Sequence, residues 1–250
     1  MSALAIGHDV DLAAELQRLS RARIFFAHRS VGADLLDGIR ALAADEGDTS
    51  VRVLETEDDL PEGVFGHALL SDNGDPLGKL RRFERMLAAG VGPVADIVVF
   101  KFCYSDVSSR TDVPWLFRTY DRMIRAQRDA YPGAKFVHVT TPLTVVPAGA
   151  RAAVSGLFGR VPEALADNAR REEFNGLMRR AYAGTEALFD LAGAESIAPS
   201  GARELHDLHG RPIAALVPAY TSDGGHLNPF ARTRIARELI ALLASLVERA

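Results

Sequence analysis

The stretch DIVVFK, residues 96–101, decides the fold class of this chain. It is short and apolar, and three of its residues in succession are β-branched. Such runs are typical of strands that are buried on both faces in the centre of a parallel sheet. Four further segments have strand character by length and pattern, and these are residues 23–28, 50–55, 135–140 and 187–190. The sequence therefore predicts a five-stranded, mostly parallel sheet.

Helical periodicity separates these strands. Apolar residues recur at helical spacing in residues 31–44, 77–89, 115–130 and 162–183. The last helix has an apolar stripe made of Ile235, Leu239, Leu242, Leu243 and Leu246. Strands that alternate with helices predict an α/β fold with three layers, an α/β/α sandwich. No repeat or long linker interrupts the pattern, so we expect one domain over residues 1–250.

Two long stretches, residues 57–76 and 192–221, show no clear periodicity, and we expect irregular loops there. Loops of this length usually carry function or cover a site. In open α/β sheets the ligand crevice lies beyond the carboxyl ends of the strands. Residues that directly follow the strands are therefore the first candidates for a site.

Composition excludes several classes of protein. The chain has 250 residues and a formal net charge of −4, which argues against a nucleic-acid-binding protein. Cys103 is the only cysteine, so neither an intrachain disulfide nor a cysteine-based zinc site is expected. The N-terminal residues lack the pattern of a signal peptide, and no apolar run reaches the ~20 residues that span a bilayer. We expect a cytoplasmic protein without a membrane partner.

A serine follows the first predicted strand. The segment AHRSVG, residues 27–32, places Ser30 at the turn into the next helix. One interpretation is a helix N-cap, which contributes about 0.5–2 kcal/mol. The other is a nucleophile, because backbone N–H groups at a helix N-terminus favour the negative charge that forms on an ester carbonyl.

The segment TSDGGHLNPF, residues 221–230, stands just before the last helix. His226 can act as general base for a serine, and Asp223 can bind the other imidazole nitrogen and fix its tautomer. The D-x-x-H spacing of Asp223 and His226 is common by itself. Its place in a glycine-rich turn, with a serine after the first strand, favours a Ser30–His226–Asp223 triad.

Three segments carry a family resemblance that covers the chain from residue 23 to its end. These are HRSVG around Ser30, KFCYSD at residues 101–106 and DGGH at residues 223–226. With them the chain resembles the SGNH (GDSL-like) hydrolase superfamily. The resemblance implies a flavodoxin-like sandwich, a Ser30–Asp223–His226 triad and a small-molecule ester substrate. It implies neither a metal nor a cofactor.

The chain departs from the family pattern in two segments. The family's G-D-S is replaced by His28-Arg29-Ser30, and its G-x-N-D is replaced by CYSD at residues 103–106. The asparagine that donates to the oxyanion is therefore missing. The resemblance implies an oxyanion glycine after the second strand, where Asn73 and Gly74 are the candidates. The alternative is a plain N-G turn that leads into a helix.

Other residues beside the predicted strand ends are weaker candidates. Lys101 ends an apolar strand, and it either binds an anionic group or pairs with Asp106 or Asp190; the pairing is favoured. His28 either lines the site or lies in the core. Substrate contacts are a further hypothesis for Arg29 and Tyr104.

The pair His206 and His209 has a spacing that can hold a metal, but without an evident third ligand we interpret both as surface residues. Cys103 is an alternative nucleophile, disfavoured because Ser30 has a D-x-x-H segment as partner. Two function classes remain. The first is a serine esterase, deacylase or acyltransferase that works through an acyl-enzyme. The second is a degenerate member that binds a carbohydrate or acyl ligand without turnover.

Overall fold

One parallel sheet organises the protein. The structure, a computed structural model, describes residues 11–147 and 161–247. Within these ranges the sheet consists of β1 (Ile24–His28), β2 (Arg52–Glu55), β3 (Val64–Leu69), β4 (Ile97–Phe100), β5 (Lys135–Val139) and β6 (Ala187–Phe189). The strand order is β2-β3-β1-β4-β5-β6, and every pairing is parallel. The predicted α/β class with a mostly parallel sheet is therefore confirmed.

Helices cover both faces of the sheet. They are α1 (Leu12–Leu19), α2 (Val31–Asp45), α3 (Pro76–Met86), α4 (Gly92–Val94), α5 (Val113–Ala130), α6 (Glu163–Tyr182), α7 (Leu191–Glu195) and α8 (Pro229–Leu246). Alternate residues of β1 point to opposite faces, as strand geometry requires. Phe26 packs in the core formed with α1, α2 and α8, whereas Phe25 packs in the core formed with α3, α5 and α6. This arrangement is the expected three-layer sandwich.

The expectation of five strands was wrong, because β3 forms inside the stretch predicted to be an irregular loop. Its sequence, VFGHAL, has glycine and histidine in the middle, which interrupt the apolar pattern. A Cβ at Gly66 would lie 2.5 Å from Leu60 Cδ1, so a larger residue there would have to displace the Leu60 side chain. Without the edge strand β2, the order β3-β1-β4-β5-β6 is the flavodoxin-like order.

The second stretch expected to be irregular also contains regular structure. It includes most of α7 and an antiparallel hairpin of β7 (Leu205–Leu208) and β8 (Arg211–Ala214). Strands of four residues are too short to give a reliable pattern in sequence.

The topology places the crevice between β1 and β4. The chain leaves β1 toward β3 on one side and returns through β4 on the other, so the loops after these strands diverge there. Ser30 follows β1, and a 3₁₀ turn (Tyr104–Asp106) follows β4. Over the described ranges, the helices lack the combination of length and apolarity that a bilayer span requires.

Candidate active site

Ser30 lies in a strained turn between β1 and α2. Its backbone has φ 56° and ψ −117°, and it is one of two non-glycine residues with positive φ in the described ranges. Such conformations cost on the order of 1–3 kcal/mol and cluster at active sites. The Ser30 side chain makes no capping hydrogen bond to α2. The N-cap interpretation therefore does not explain this serine, whose hydroxyl points elsewhere.

A chain of short hydrogen bonds joins Ser30 to the loop before α8. The Ser30 Oγ lies 2.6 Å from His226 Nε2, and His226 Nδ1 lies 2.7 Å from Asp223 Oδ2. A carboxylate accepts hydrogen bonds, so the proton belongs on Nδ1 and Nε2 accepts from the serine hydroxyl. Three residues separated by up to 196 positions are thus in the order that serine activation needs.

Asp223 is held by its own turn. Its Oδ1 accepts the backbone N–H of Gly225 at 2.9 Å and that of His226 at 2.8 Å. The hydroxyl of Thr221 donates to the same oxygen at 3.1 Å. The backbone N–H groups of Gly225 and His226, followed by the His226 side chain, hold the pKa of the Asp223 carboxyl well below its usual range. Asp223 is therefore ionised at neutral pH.

The loop that carries His226 is attached to the helix that follows Ser30. The buried Asp34 accepts the backbone N–H of Leu227 at 3.0 Å and pairs with Arg232 at 2.7 Å. Close helix packing supports this link, because a Cβ at Gly38 would lie 2.3 Å from the Arg232 carbonyl. Asp34 is a functional residue that the sequence patterns did not indicate. Its signal was an acidic residue one helical turn after Ser30, on the buried side of a predicted helix.

Tyr104 lies beside the histidine. The two ring centroids are 6.0 Å apart in an edge-to-face arrangement. A Cβ at Gly225 would lie 3.1 Å from two ring carbons of Tyr104, so the tyrosine packs directly on the DGGH turn. The structure thus brings this candidate residue to the Ser30–His226 pair.

Asn73 and Gly74 are engaged in a different network. The Gly74 N–H donates to Asp106 Oδ1 at 2.9 Å, and Asn73 Oδ1 accepts from Lys79 Nζ at 2.9 Å. Lys79 also pairs with Asp106 at 2.6 Å, and both side chains are fully buried. The Gly74 N–H is therefore bound to a carboxylate, which disagrees with the expected oxyanion role.

Lys101 does not pair with either expected carboxylate. Asp106 pairs with Lys79, and Asp190 pairs with Arg179 at 2.7 Å. The Lys101 ammonium is fully buried and donates to the Phe102 carbonyl at 3.0 Å. A group without solvent exposure cannot meet a ligand from solution, so the anion-binding alternative also fails.

His28 belongs to the core. Its Nε2 lies 3.2 Å from His67 Nδ1. Burial, followed by the neighbouring His67 and Lys101, lowers the pKa of His28 to about 3. A Cβ at Gly32 would lie 2.4 Å from His28 Cβ, so this histidine supports the start of α2 rather than a substrate.

Arg29 and Cys103 brace the loops around Ser30. The Arg29 guanidinium donates to the Leu70 carbonyl at 2.9 Å and pairs with Asp72 at 3.0 Å. The buried Cys103 thiol donates to the Arg29 carbonyl at 3.2 Å. The thiol thus points into the protein, which disfavours Cys103 as nucleophile.

The predicted surface histidines lie on the hairpin. His206 is in β7 and binds Glu204 at 2.9 Å, and His209 is in the hairpin turn with φ 54°. In residues 11–147 and 161–247, no three histidine, cysteine or acidic side chains are grouped as a metal site would need.

Comparison with known proteins supports the fold. No protein-family model matches the chain, and no curated protein matches its sequence. A solved lipase/acylhydrolase from Enterococcus faecalis is 16% identical, with a TM-score of 0.52 over 91% of this chain and 100% of its own. A structure from Streptococcus pneumonia described as a platelet activating factor is 14% identical, with a TM-score of 0.52 over 91% of this chain and 92% of its own. At these identities the likeness shows the fold alone.

Proposed function

We propose that this protein is a serine esterase or deacylase that works through an acyl-enzyme on Ser30. The observation that carries the proposal is the 2.6 Å contact between Ser30 Oγ and His226 Nε2, made by a serine in a strained turn. A side chain in a structural cap would bond to its own helix. Here the hydroxyl bonds to an imidazole whose other nitrogen is bound by a carboxylate.

The first chemical step follows from these contacts. Ser30 Oγ attacks the ester carbonyl carbon, its proton passes to His226 Nε2, and the carbonyl electron pair moves to oxygen. The resulting imidazolium is stabilised by Asp223. When the oxyanion collapses, the bond to the leaving alcohol breaks and His226 returns the proton to that oxygen. Water, deprotonated by His226, then attacks the acyl carbon, the bond to Ser30 Oγ breaks, and His226 returns the proton to Ser30 as the acid leaves.

Backbone N–H groups around Ser30 are candidate donors to the oxyanion. In the turn, Gly32 N–H donates to the Arg29 carbonyl and Ala33 N–H to the Ser30 carbonyl. The N–H groups of Ser30 and Val31 find no acceptor among the described residues. They lie at the N-terminus of α2, where the helix dipole favours negative charge.

The site is open rather than enclosed, and this bears on the substrate. The side chain of His226 is 42% exposed and that of Asp223 is 53% exposed. Such a site accepts a short acyl group on a larger alcohol more readily than it encloses a long chain. We therefore include acetyl esters and acylated sugars in the proposed substrate class. The solved lipase/acylhydrolase of the same fold agrees with ester chemistry.

Labelling with a fluorophosphonate probe tests the proposal. We expect phosphonylation of Ser30, identified by peptide mass spectrometry, and its loss in Ser30→Ala. We expect at least a hundredfold slower labelling in His226→Ala. The matched control is His206→Ala, which removes another histidine bound to a carboxylate, Glu204. This control should label at the parent rate.

A well-folded parent protein that is not labelled, and that does not hydrolyse p-nitrophenyl acetate, would contradict the proposal. It would favour the second class, a protein that binds an acyl or carbohydrate ligand without turnover. Thermal shifts with acetylated sugars would then be the next measurement.

A further inference from the structure

The backbone donor expected after β3 is already bound to a carboxylate. Gly74 N–H is bound to Asp106, and the Asn73 side-chain oxygen is bound to Lys79. Acyl transfer commonly uses more than one donor, and removal of one typically costs about 10²–10³ in rate. A second polar group beside the Ser30 hydroxyl could therefore serve as a donor to the oxyanion.

Tyr104 is such a group. Its hydroxyl lies close to the hydroxyl of Ser30, the same group that bonds to His226. The tyrosine hydroxyl would lie 3.2 Å from a Cβ at Gly225, which places it over the turn that holds the histidine. It comes from the loop after β4, on the opposite side of the crevice from Ser30, which follows β1.

Arg171 fixes the position of Tyr104. Arg171 Nε donates to the Tyr104 carbonyl at 2.8 Å, and its guanidinium carbon lies 5.6 Å from the centre of the tyrosine ring. Arg171 is itself buried, and it donates to Asn168 Oδ1 at 2.7 Å. A buried cation with several acceptors is a rigid support, so the tyrosine is positioned before substrate binds.

We propose that the Tyr104 hydroxyl is a catalytic hydrogen-bond donor, which lies beside Ser30 Oγ at rest and donates to the oxyanion during acyl transfer. This inference rests on the proposed function. The oxyanion is bonded to the carbon that Oγ attacks, so a donor beside Oγ needs only a small rotation to reach it. The proton stays on tyrosine throughout, because the hydroxyl donates a hydrogen bond and does not ionise.

The protonation state suits this role. Burial raises the pKa of Tyr104 above its ordinary value, and the neighbouring Cys103 adds to that shift. The neighbouring Ser30 hydroxyl and the charge of Arg171 act in the opposite direction without reversing it. Tyr104 is therefore a neutral donor across the pH range in which a histidine base works.

The variant Tyr104→Phe tests the inference, because it removes the hydroxyl and keeps the ring. We expect kcat for p-nitrophenyl acetate to fall by about 10- to 1000-fold with little change in KM, since the lost bond forms mainly in the transition state. The inhibition constant of phenylboronic acid, which adds to Ser30 as a tetrahedral adduct, should rise by a similar factor. The matched control is Tyr131→Phe. Tyr131 follows α5, at the end of the sheet where the parallel strands begin, far from Ser30. The kinetics of Tyr131→Phe should equal those of the parent.

The outcomes separate the two proposals. If the parent labels on Ser30 and turns over, but Tyr104→Phe retains kcat and boronate affinity within twofold, the inference is overturned and the proposed function stands. If the parent itself neither labels nor turns over, both are overturned. The first conclusion requires that Tyr104→Phe is folded, so its melting temperature should match that of the parent within a few degrees.

Discussion

The carboxylate of Asp34 accepts a hydrogen bond from the backbone N–H of Leu227, the residue that follows His226. This bond ties the helix that begins after Ser30 to the loop that holds the proposed base. The two segments are 193 positions apart in sequence, so their relative position depends on this contact and on the packing of α2 against α8.

Replacing Asp34 by alanine should weaken both the fold and the site. It leaves Leu227 N–H and Arg232 without their buried acceptor, which costs about 1–3 kcal/mol. We expect a matching loss in the free energy of unfolding in urea and at least tenfold slower phosphonylation of Ser30. The control is Asp37→Ala, which removes an exposed partner of the same arginine and should change stability by no more than about 1 kcal/mol. Equal effects of the two variants would contradict the positioning role of Asp34.

The strain at Ser30 predicts an unusual order of stabilities. Glycine adopts positive φ without a steric penalty, whereas alanine retains the strain of the 56° φ value. Relief of about 1–3 kcal/mol exceeds the larger unfolded-state entropy of glycine, about 0.5–1 kcal/mol. Ser30→Gly should therefore unfold with a free energy about 1 kcal/mol higher than Ser30→Ala in urea titrations. The reverse order would show that this turn is not strained.

Gly225 provides a structural test of the tyrosine position. A Cβ there would lie 3.1 Å from two ring carbons of Tyr104, so alanine must displace the ring by a few tenths of an ångström. We expect Gly225→Ala to lower kcat for p-nitrophenyl acetate by about tenfold with little loss of stability. In Gly133→Ala the new Cβ meets nothing within 4 Å, and its kinetics should equal those of the parent. Unchanged turnover in Gly225→Ala would show that the exact position of the ring is unimportant.

The buried pair Lys79–Asp106 should be essential for stability. Both side chains are fully buried, and the carboxylate also accepts the N–H groups of Gly74 and Cys103. Lys79→Met removes the cation and leaves a buried negative charge, which costs about 3–5 kcal/mol. Chemical denaturation should detect this loss directly. Arg170→Met, which breaks an exposed pair with Glu173, should cost about 0–1 kcal/mol and serves as control.

Glu195 predicts a pH dependence of stability. Burial raises the pKa of its carboxyl from 4.5 to about 8, although the Leu143 N–H and the charge of Lys101 oppose that shift. The folded state thus binds a proton that the unfolded state releases above pH 4.5. The stabilisation is complete below pH 4.5 and is lost as pH rises toward 8.

Glu195→Gln mimics the protonated carboxyl, so it should lack this loss. We expect the parent and the variant to have about equal free energies of unfolding at pH 5. As pH rises to 8, the parent should become less stable than the variant. Urea titrations at intervals of one pH unit measure the difference. The exposed Glu173→Gln should follow the parent at every pH. A constant difference between parent and Glu195→Gln would contradict the raised pKa.

Much of the fold and part of the candidate site could be predicted from sequence. The strand DIVVFK and the other apolar runs, the helical stripes and the turn residues all express short-range patterns, which a linear sequence contains. The serine after the first strand and the DGGH turn before the last helix, together with the family resemblance, also predicted that Ser30 and His226 would meet. Their catalytic role stays a prediction until Ser30 is labelled.

Only the tertiary structure decided the rest. β3 has no clean apolar pattern, and it becomes a strand because β1 and β2 offer hydrogen-bonding edges on either side. The partners of Asp106, Asp34 and Tyr104 depend on which loops and helices pack together. Such contacts join residues far apart in the chain, and a charged or polar side chain carries no local signal of its partner. For this protein, the periodic patterns of neighbouring residues determined the layers, whereas three-dimensional packing determined how polar groups pair between them.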